Sequence, residues 1–464
     1  MLPVVARQEM NLPGLLGEIC GSWFISCRCH GGGSWCWLMI NHFAQTNYRN
    51  HRQVFGIKQA DRRQHLWAVG RTGMGKSNLL ETMIINDLRA GRGVGVIDPH
   101  GQLAEKILEH VPSWRTEQVC YFSPADTNFP VGLNPLSNVD DTTRSLVVSD
   151  VVSLFISLFS EFWGPNTEHI ARNALYAVTE RQSGTLLNVL RLVNNESYRL
   201  GVVRRLRDPI VKSYWLNEFA RYRSSVREPA LSPLRNKLSQ FITNPLIRHI
   251  IGQVRGVNLR RIMDQRGIFI ANLAKGTIGD DTSRFLGSLL LTQFVAAALR
   301  RADTPEEGRP DFNLFIDEIH NFATKAFPTA LSEVRKYRLA LHLSSQQTAN
   351  LLPELRSALI ANVGSLLAFR LGNEDALLLA REFWPVVGAE DLVNLPRFSI
   401  YLKMLIDGVP SRPFSAETLP PDQRLVGRGR IMMEQSRRRY ATRKHDIARK
   451  IAAVMRKDMT GMGV

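Results

Sequence analysis

Eight residues, Gly70-Arg71-Thr72-Gly73-Met74-Gly75-Lys76-Ser77, follow the spacing G-x-x-x-x-G-K-[ST]. Glycines at this spacing let the backbone curl until successive N–H groups point inward and cradle an anion. Lys76 would neutralise the β- and γ-phosphates of a nucleoside triphosphate, and the Ser77 hydroxyl would ligate Mg²⁺. A second group lies far downstream, where the apolar run Asn313-Leu314-Phe315-Ile316 ends in Asp317-Glu318. After an upstream phosphate loop, such a pair fits a Walker B strand end. Asp317 would hold the magnesium, and Glu318 would act as general base on the attacking water. A third feature is Ser344-Ser345-Gln346-Gln347, which closes the apolar segment Leu339–Leu343. An amide there, Gln346 by the approximate strand register, would sense the γ-phosphate or position water. The cofactors implied are ATP and Mg²⁺.

The elements that must position these groups are legible around them. Leu66-Trp67-Ala68-Val69 reads as a buried strand, and Asn78–Ile85 as the helix whose N-terminal dipole faces the phosphates. Val94–Ile97 follows as a second strand, so strand, helix and strand form a βαβ unit and hence a parallel sheet. Asp98 then sits at the same sheet edge, either ordering a magnesium-bound water or capping the next helix. Further strands are expected at Val54–Ile57, Gln118–Phe122, Ile268–Leu273, Val363–Phe369 and Phe398–Leu405, with helices over Ser283–Arg301 and Phe327–Arg338. Between them, residues 141–255 change to apolar residues at helical spacing, which predicts an inserted helical subdomain. Its arginines and lysines, with Tyr214, Trp215 and Tyr222 nearby, suit either a nucleic-acid strand with stacked bases or a solvated face over core aromatics.

The fold class expected is therefore α/β, a RecA-like P-loop core with a mostly parallel sheet and an inserted all-helical subdomain. The domain reading is a poorly specified leader (1–50), a motor domain (51–140 and 256–420), the helical insertion (141–255) and a basic tail (421–464). Cys20, Cys27, Cys29 and Cys36 crowd the leader beside His30 without a recurring C-x-x-C pair, so they read as reduced thiols rather than a zinc site. The chain carries 59 Lys+Arg against 42 Asp+Glu, a net charge of +17 that attracts polyanions. More than half of this charge lies in 424–464, which holds twelve basic and three acidic residues. That tail could bind DNA, an anionic membrane surface or a partner, or be a solvated extension. Leu146–Phe159 and Phe285–Leu299 fall short of the roughly 18 unbroken apolar residues of a membrane span, and Met1–Met10 lacks the features of a signal peptide.

Five blocks together resemble the motor domain of conjugative coupling proteins of type IV secretion systems, within the HerA/FtsK-like ATPases. They are FGIKQADRRQHLWAVGRTGMGKS, GVGVIDPHGQLAEKIL, GLNPL, NLFIDEIHNF and SEVRKYRLALHLSSQQ, spread over about residues 52–405. The resemblance implies an ATP-hydrolysing DNA translocase that works as a hexameric ring. It matches Gln346 to the family's sensing glutamine and Arg335 to an arginine that reaches the neighbouring subunit's nucleotide. Without it, Arg335 reads as a helix-end cation. The implied partners are DNA, further copies of the chain, a relaxase and secretion-channel proteins. The family's membrane-spanning helices are not found here, so either the chain is a soluble relative, with membrane association only through partners or the basic tail, or the membrane part is missing or on another polypeptide. The location expected is cytoplasmic, at most peripheral on the inner face of the membrane. The rival readings are a HerA-like helicase or resection motor without a channel, and an ATP-switched adaptor that recruits proteins.

Overall fold

The computed structural model describes residues 40–48, 52–137, 139–159, 163–181 and 183–459. The four leader cysteines and His30 lie outside them. Thirteen strands occur in chain order among the described residues: β1 (Ile40–Thr46), β2 (Val54–Lys58), β3 (Leu66–Val69), β4 (Gly93–Asp98), β5 (Val119–Phe122), β6 (Ile268–Asn272), β7 (Phe312–Ile316), β8 (Leu339–Ser345), β9 (Ser365–Ala368), β10 (Ser399–Lys403), β11 (Leu405–Ile406), β12 (Val409–Pro410) and β13 (Phe414–Thr418). Eleven form one sheet in the order β2-β1-β13-β10-β9-β3-β8-β7-β4-β6-β5, while β11 and β12 make a separate hairpin. From β9 to β5 every neighbouring pair is parallel. The other four strands add an antiparallel flank. β1 arises within the span read as leader, and β13 had no counterpart in the sequence reading. Both are half-exposed with irregular apolar patterns, unlike the fully buried central strands.

Alternation along β3 explains how one strand serves two cores. Leu66 and Ala68 face one cluster, with Leu79, Leu80, Met83 and Ile84 of helix α1 (Lys76–Arg89). Trp67 and Val69 face the other, with Leu286, Leu290 and Phe294 of helix α2 (Asp280–Leu299). The stretch Asp280–Asp303 is long and apolar enough to cross a membrane, but 72% of its apolar window is buried inside the protein. It packs here as a core helix.

Between β5 and β6 the described residues form helices and connecting segments only, among them Arg144–Phe159, Pro165–Thr179, Leu186–Asn194 and Ser224–Thr243. Their apolar faces join the α2 side of the core. Tyr214 and Trp215 are buried here and pack edge-on against each other, with Trp215 tilted onto Phe219. Tyr222 donates to Glu218 at 2.8 Å and packs on Phe219. These aromatics serve the core of the insertion, so the reading of them as base-stacking partners is corrected.

The basic tail is also structured. Helix α3 (Gly429–Tyr440) covers the outer edge of the sheet, and Ser436 Oγ accepts from the backbone N–H of Tyr121 on β5 at 2.8 Å. A helix laid on an edge strand satisfies donors that would otherwise pair with another chain. Arg437 pairs with Asp126 at 2.6 Å and lies over Phe129, and Arg439 donates to the Glu117 carbonyl. Helix α4 (Lys444–Met459) follows and lies against the helix Pro245–Ile251.

Candidate active site

Parallel pairing sets the register that assembles the site. β8 lies between β3 and β7, pairing Val69 with Ser345 and Ile316 with Leu343. The phosphate loop, Asp317-Glu318 and Gln346 therefore leave three adjacent strands at one edge. Asp98 ends the next strand, β4. This is the carboxyl edge, where ligands bind in open parallel sheets.

The loop is anchored by its own backbone. Gly70 N–H donates to Ser345 O at 3.2 Å, Arg71 N–H to Arg370 O at 2.9 Å, and Phe398 N–H to Met74 O at 3.0 Å. Gly75 has φ +119, and a Cβ there would lie 2.7 Å from the Phe398 ring. Only glycine fits that turn. Arg71, Thr72 and Gly73 are exposed, and no side chain caps the N-terminus of α1. Lys76 is buried, and its ammonium folds back onto the carbonyls of Gly70 and, at 3.1 Å, Arg71. Burial lowers its pKa from the ordinary lysine value, against the opposing pull of Glu318 and Asp317.

Ser77 Oγ lies 3.3 Å from Asp317 Oδ2, joining segments 240 residues apart. Asp317 is 4% exposed. Burial raises its pKa above the ordinary carboxyl value, a hydrogen bond from Ser344 opposes this, and the neighbouring Glu318 adds to the rise. Ser344 Oγ donates to Asp317 Oδ1 and accepts from the backbone N–H of Glu318 at 2.9 Å, so one hydroxyl fixes both acidic residues. Glu318 itself is left-handed (φ 53, ψ 60), a conformation costing about 1–2 kcal/mol outside glycine. Ser344 on its N–H and Asn321 Nδ2 on its carbonyl (3.1 Å) hold it there. Its Oε2 is buried without a hydrogen-bond partner, 3.4 Å from His320 Nδ1.

The arrangement fits a magnesium-bound triphosphate. An uncapped helix start, a lysine folded onto its own loop, a serine hydroxyl facing a buried carboxylate and an orphaned carboxylate oxygen are all complementary to it. Asp98 takes the second of its two readings. Its carboxylate accepts from the N–H groups of His100 (2.8 Å) and Ala104 (3.0 Å), so it caps the turn into the next helix. Gln346 follows β8 directly and is partly exposed; Gln347 is exposed. Arg335 is not brought to this edge. It is exposed in the short turn Val334–Tyr337, which precedes β8 at the opposite end of the strand. At about 3.3 Å per residue, the seven residues of β8 put it roughly 20 Å from the phosphate loop of its own chain.

Ser344 and His320 had no assigned role in the sequence reading. The legible signal for Ser344 was a small polar residue on an apolar strand, one position past the residue paired with Ile316.

No family model matches the chain, and no curated protein does. Solved structures do match. The plasmid coupling protein TrwB in complex with the GTP analogue GDPNP superposes with a TM-score of 0.59 at 17% identity, over 83% of this chain and 91% of that one. The chain has the fold of a conjugative coupling protein. TrwB in complex with ADP and Mg²⁺ gives a TM-score of 0.58 at 16% identity, again over 83% and 91%. VirB4 of Thermoanaerobacter pseudethanolicus gives 0.56 at 15% identity, over 81% of this chain and 95% of that one.

Proposed function

We propose that this chain is an ATP-hydrolysing DNA translocase, a coupling protein that drives DNA transfer in a conjugative type IV secretion system. The observation that carries the reading is the meeting of Lys76-Ser77 with Asp317-Glu318 at one sheet edge, with Ser77 Oγ 3.3 Å from Asp317 Oδ2. The fold shared with TrwB over most of both chains supports the coupling role.

In this reading the loop amides and Lys76 bind the triphosphate, Lys76 exchanging the Gly70 and Arg71 carbonyls for phosphate oxygens. Ser77 and Asp317 hold Mg²⁺, which when bound supplies Lewis-acid neutralisation of the phosphates. The free Oε2 of Glu318 accepts a proton as a water oxygen attacks the γ-phosphorus and the bond to ADP breaks. Gln346 orients that water. Arg335, too far from its own loop, acts on the nucleotide of a neighbouring subunit in a hexameric ring. An arginine supplied in this way contributes about 10³–10⁵ in rate.

The test is ATPase activity with and without DNA, measured alongside oligomer mass. A DNA motor gives activity that rises with DNA and falls steeply with salt. Activity indifferent to DNA would refute the motor and favour an adaptor. Glu318→Gln keeps nucleotide binding and stops turnover. Arg335→Ala lowers only the activity of the assembled ring, and full activity in that variant would remove the inter-subunit role.

A further inference from the structure

A cleft of about 950 Å³ opens between the inserted helices and α4. This is near the top of the ~300–1,000 Å³ range of ligand sites, yet the cleft lies outside the nucleotide site. Its charge is one-sided. Arg181, Arg191, Arg205, Arg255 and Lys450 line it, and no Asp or Glu among the described residues does. Other cations of the fold are paired, as in Arg62 with Asp87, Arg63 with Asp311 and Arg89 with Asp422. In the cleft, Arg181, Arg205, Arg255 and Lys450 are exposed and make no ion pair among the described residues. Arg191 is 8% exposed and stacks its guanidinium on Tyr198 at 4.0 Å.

Unmatched like charges around a concavity raise its potential and concentrate anions. The floor between the cations is aliphatic, from Leu187, Val202 and Ile451. Guanidinium and ammonium groups donate hydrogen bonds and accept none. The matching ligand is therefore rich in acceptors, repeats its negative charge and carries flat apolar faces. A phosphodiester chain brings almost only acceptors.

We propose that this cleft binds a single strand of nucleic acid, with its phosphates on Arg181, Arg205, Arg255 and Lys450 and its bases over the aliphatic floor beside Tyr198. The proposal rests on the reading of the chain as a DNA motor and gives that motor a strand-binding site away from the nucleotide.

The experiment uses the full chain and a fluorescent oligothymidylate of about 16 nucleotides, within the range that single-strand sites cover. Binding is read by anisotropy across a salt series. Arg205→Glu/Arg255→Glu should weaken binding at least about tenfold and flatten the slope of log affinity against log salt by about 1.4, some 0.7 per lost phosphate contact. Arg205→Gln/Arg255→Gln should act in the same direction with a smaller loss. Arg412→Glu/Arg430→Glu, the same charge change on exposed residues outside the cleft, should stay within about twofold of wild type. Equal weakening by the control pair, unchanged affinity in both cleft pairs, or displacement of the strand by polyglutamate at equal charge would each overturn the proposal. Failure of the motor reading looks different. Oligonucleotide binding lost in the cleft variants, with a wild-type ATPase that ignores DNA, keeps the cleft and removes the motor. DNA-stimulated ATPase with equal affinity in all variants keeps the motor and removes the cleft.

Discussion

Ser344→Ala tests how the acidic pair is held, because this one hydroxyl binds the Asp317 carboxylate and the Glu318 N–H at once. Its removal takes away a charge-assisted hydrogen bond and a neutral one, and the side chain is fully buried, so water cannot replace it readily. Hydrogen bonds to charged groups contribute about 1.5–3 kcal/mol and neutral ones about 1 kcal/mol, so the local loss is about 2–4 kcal/mol. Partners that orient metal ligands typically affect metal affinity or activity about 10–100-fold. The Mg²⁺ needed for half-maximal ATPase should therefore rise by about that factor, while nucleotide binding in EDTA stays close to wild type. The pH dependence has a definite sign. Burial raises the Asp317 pKa, and the Ser344 hydrogen bond opposes that rise by favouring the ionised form. Without it the pKa climbs further, protonation begins at higher pH, and the acidic limb of the ATPase profile moves to higher pH. A Ser344→Ala enzyme with wild-type Mg²⁺ dependence and an unmoved acidic limb would refute the reasoning.

Two further outcomes follow from the packing around the site. Gly75→Ala places a methyl 2.7 Å from the Phe398 ring at φ +119, so nucleotide binding should fall at least about tenfold while the melting temperature drops by only a few degrees, as read by calorimetry with and without nucleotide. Arg62→Leu leaves the fully buried Asp87 without its bidentate partner (2.7 and 2.6 Å) and should cost about 3–5 kcal/mol in urea unfolding. Burial alone would raise the Asp87 pKa, but Arg62 and Arg92 hold it below the ordinary carboxyl value. Its contribution is thus present above that ordinary value and is lost only as pH falls through the lowered one. In Arg62→Leu the loss should begin at higher pH.

The central strands were legible because both their faces are buried, which writes them as unbroken apolar runs ending in Gly70, Asp98 and Asp317. The antiparallel flank was not. β1 and β13 are only partly buried on one face, and β1 pairs with Phe414–Thr418 from the far end of the chain, a contact no local pattern encodes. The site was legible where chemistry demands fixed residue types, as in Lys76, Ser77, Asp317 and Glu318. Ser344 was not, because its role depends on the β7–β8 register rather than on local spacing. The aromatics of the insertion were ambiguous for another reason: Tyr214 and Trp215 have the same composition whether they stack bases or fill a core, and only burial decides. The tail's charge was plain, yet its docking beside β5 depends on Ser436, Arg437 and Arg439 meeting groups far away in the chain.

The central claim is that the phosphate loop and the acidic strand end serve one magnesium-bound triphosphate. A double-mutant cycle on Ser77→Ala and Asp317→Asn addresses it most directly, with Mn²⁺ replacing Mg²⁺ beside a non-hydrolysable ATP analogue and its affinity read by electron paramagnetic resonance. Each single variant should weaken the nucleotide-bound Mn²⁺, and the double should weaken it by less than the two effects combined, with a coupling within the ~0.5–3 kcal/mol found for residues that share an interaction. Strictly additive effects, or an Asp317→Asn protein that holds nucleotide-bound Mn²⁺ as tightly as wild type, would contradict it.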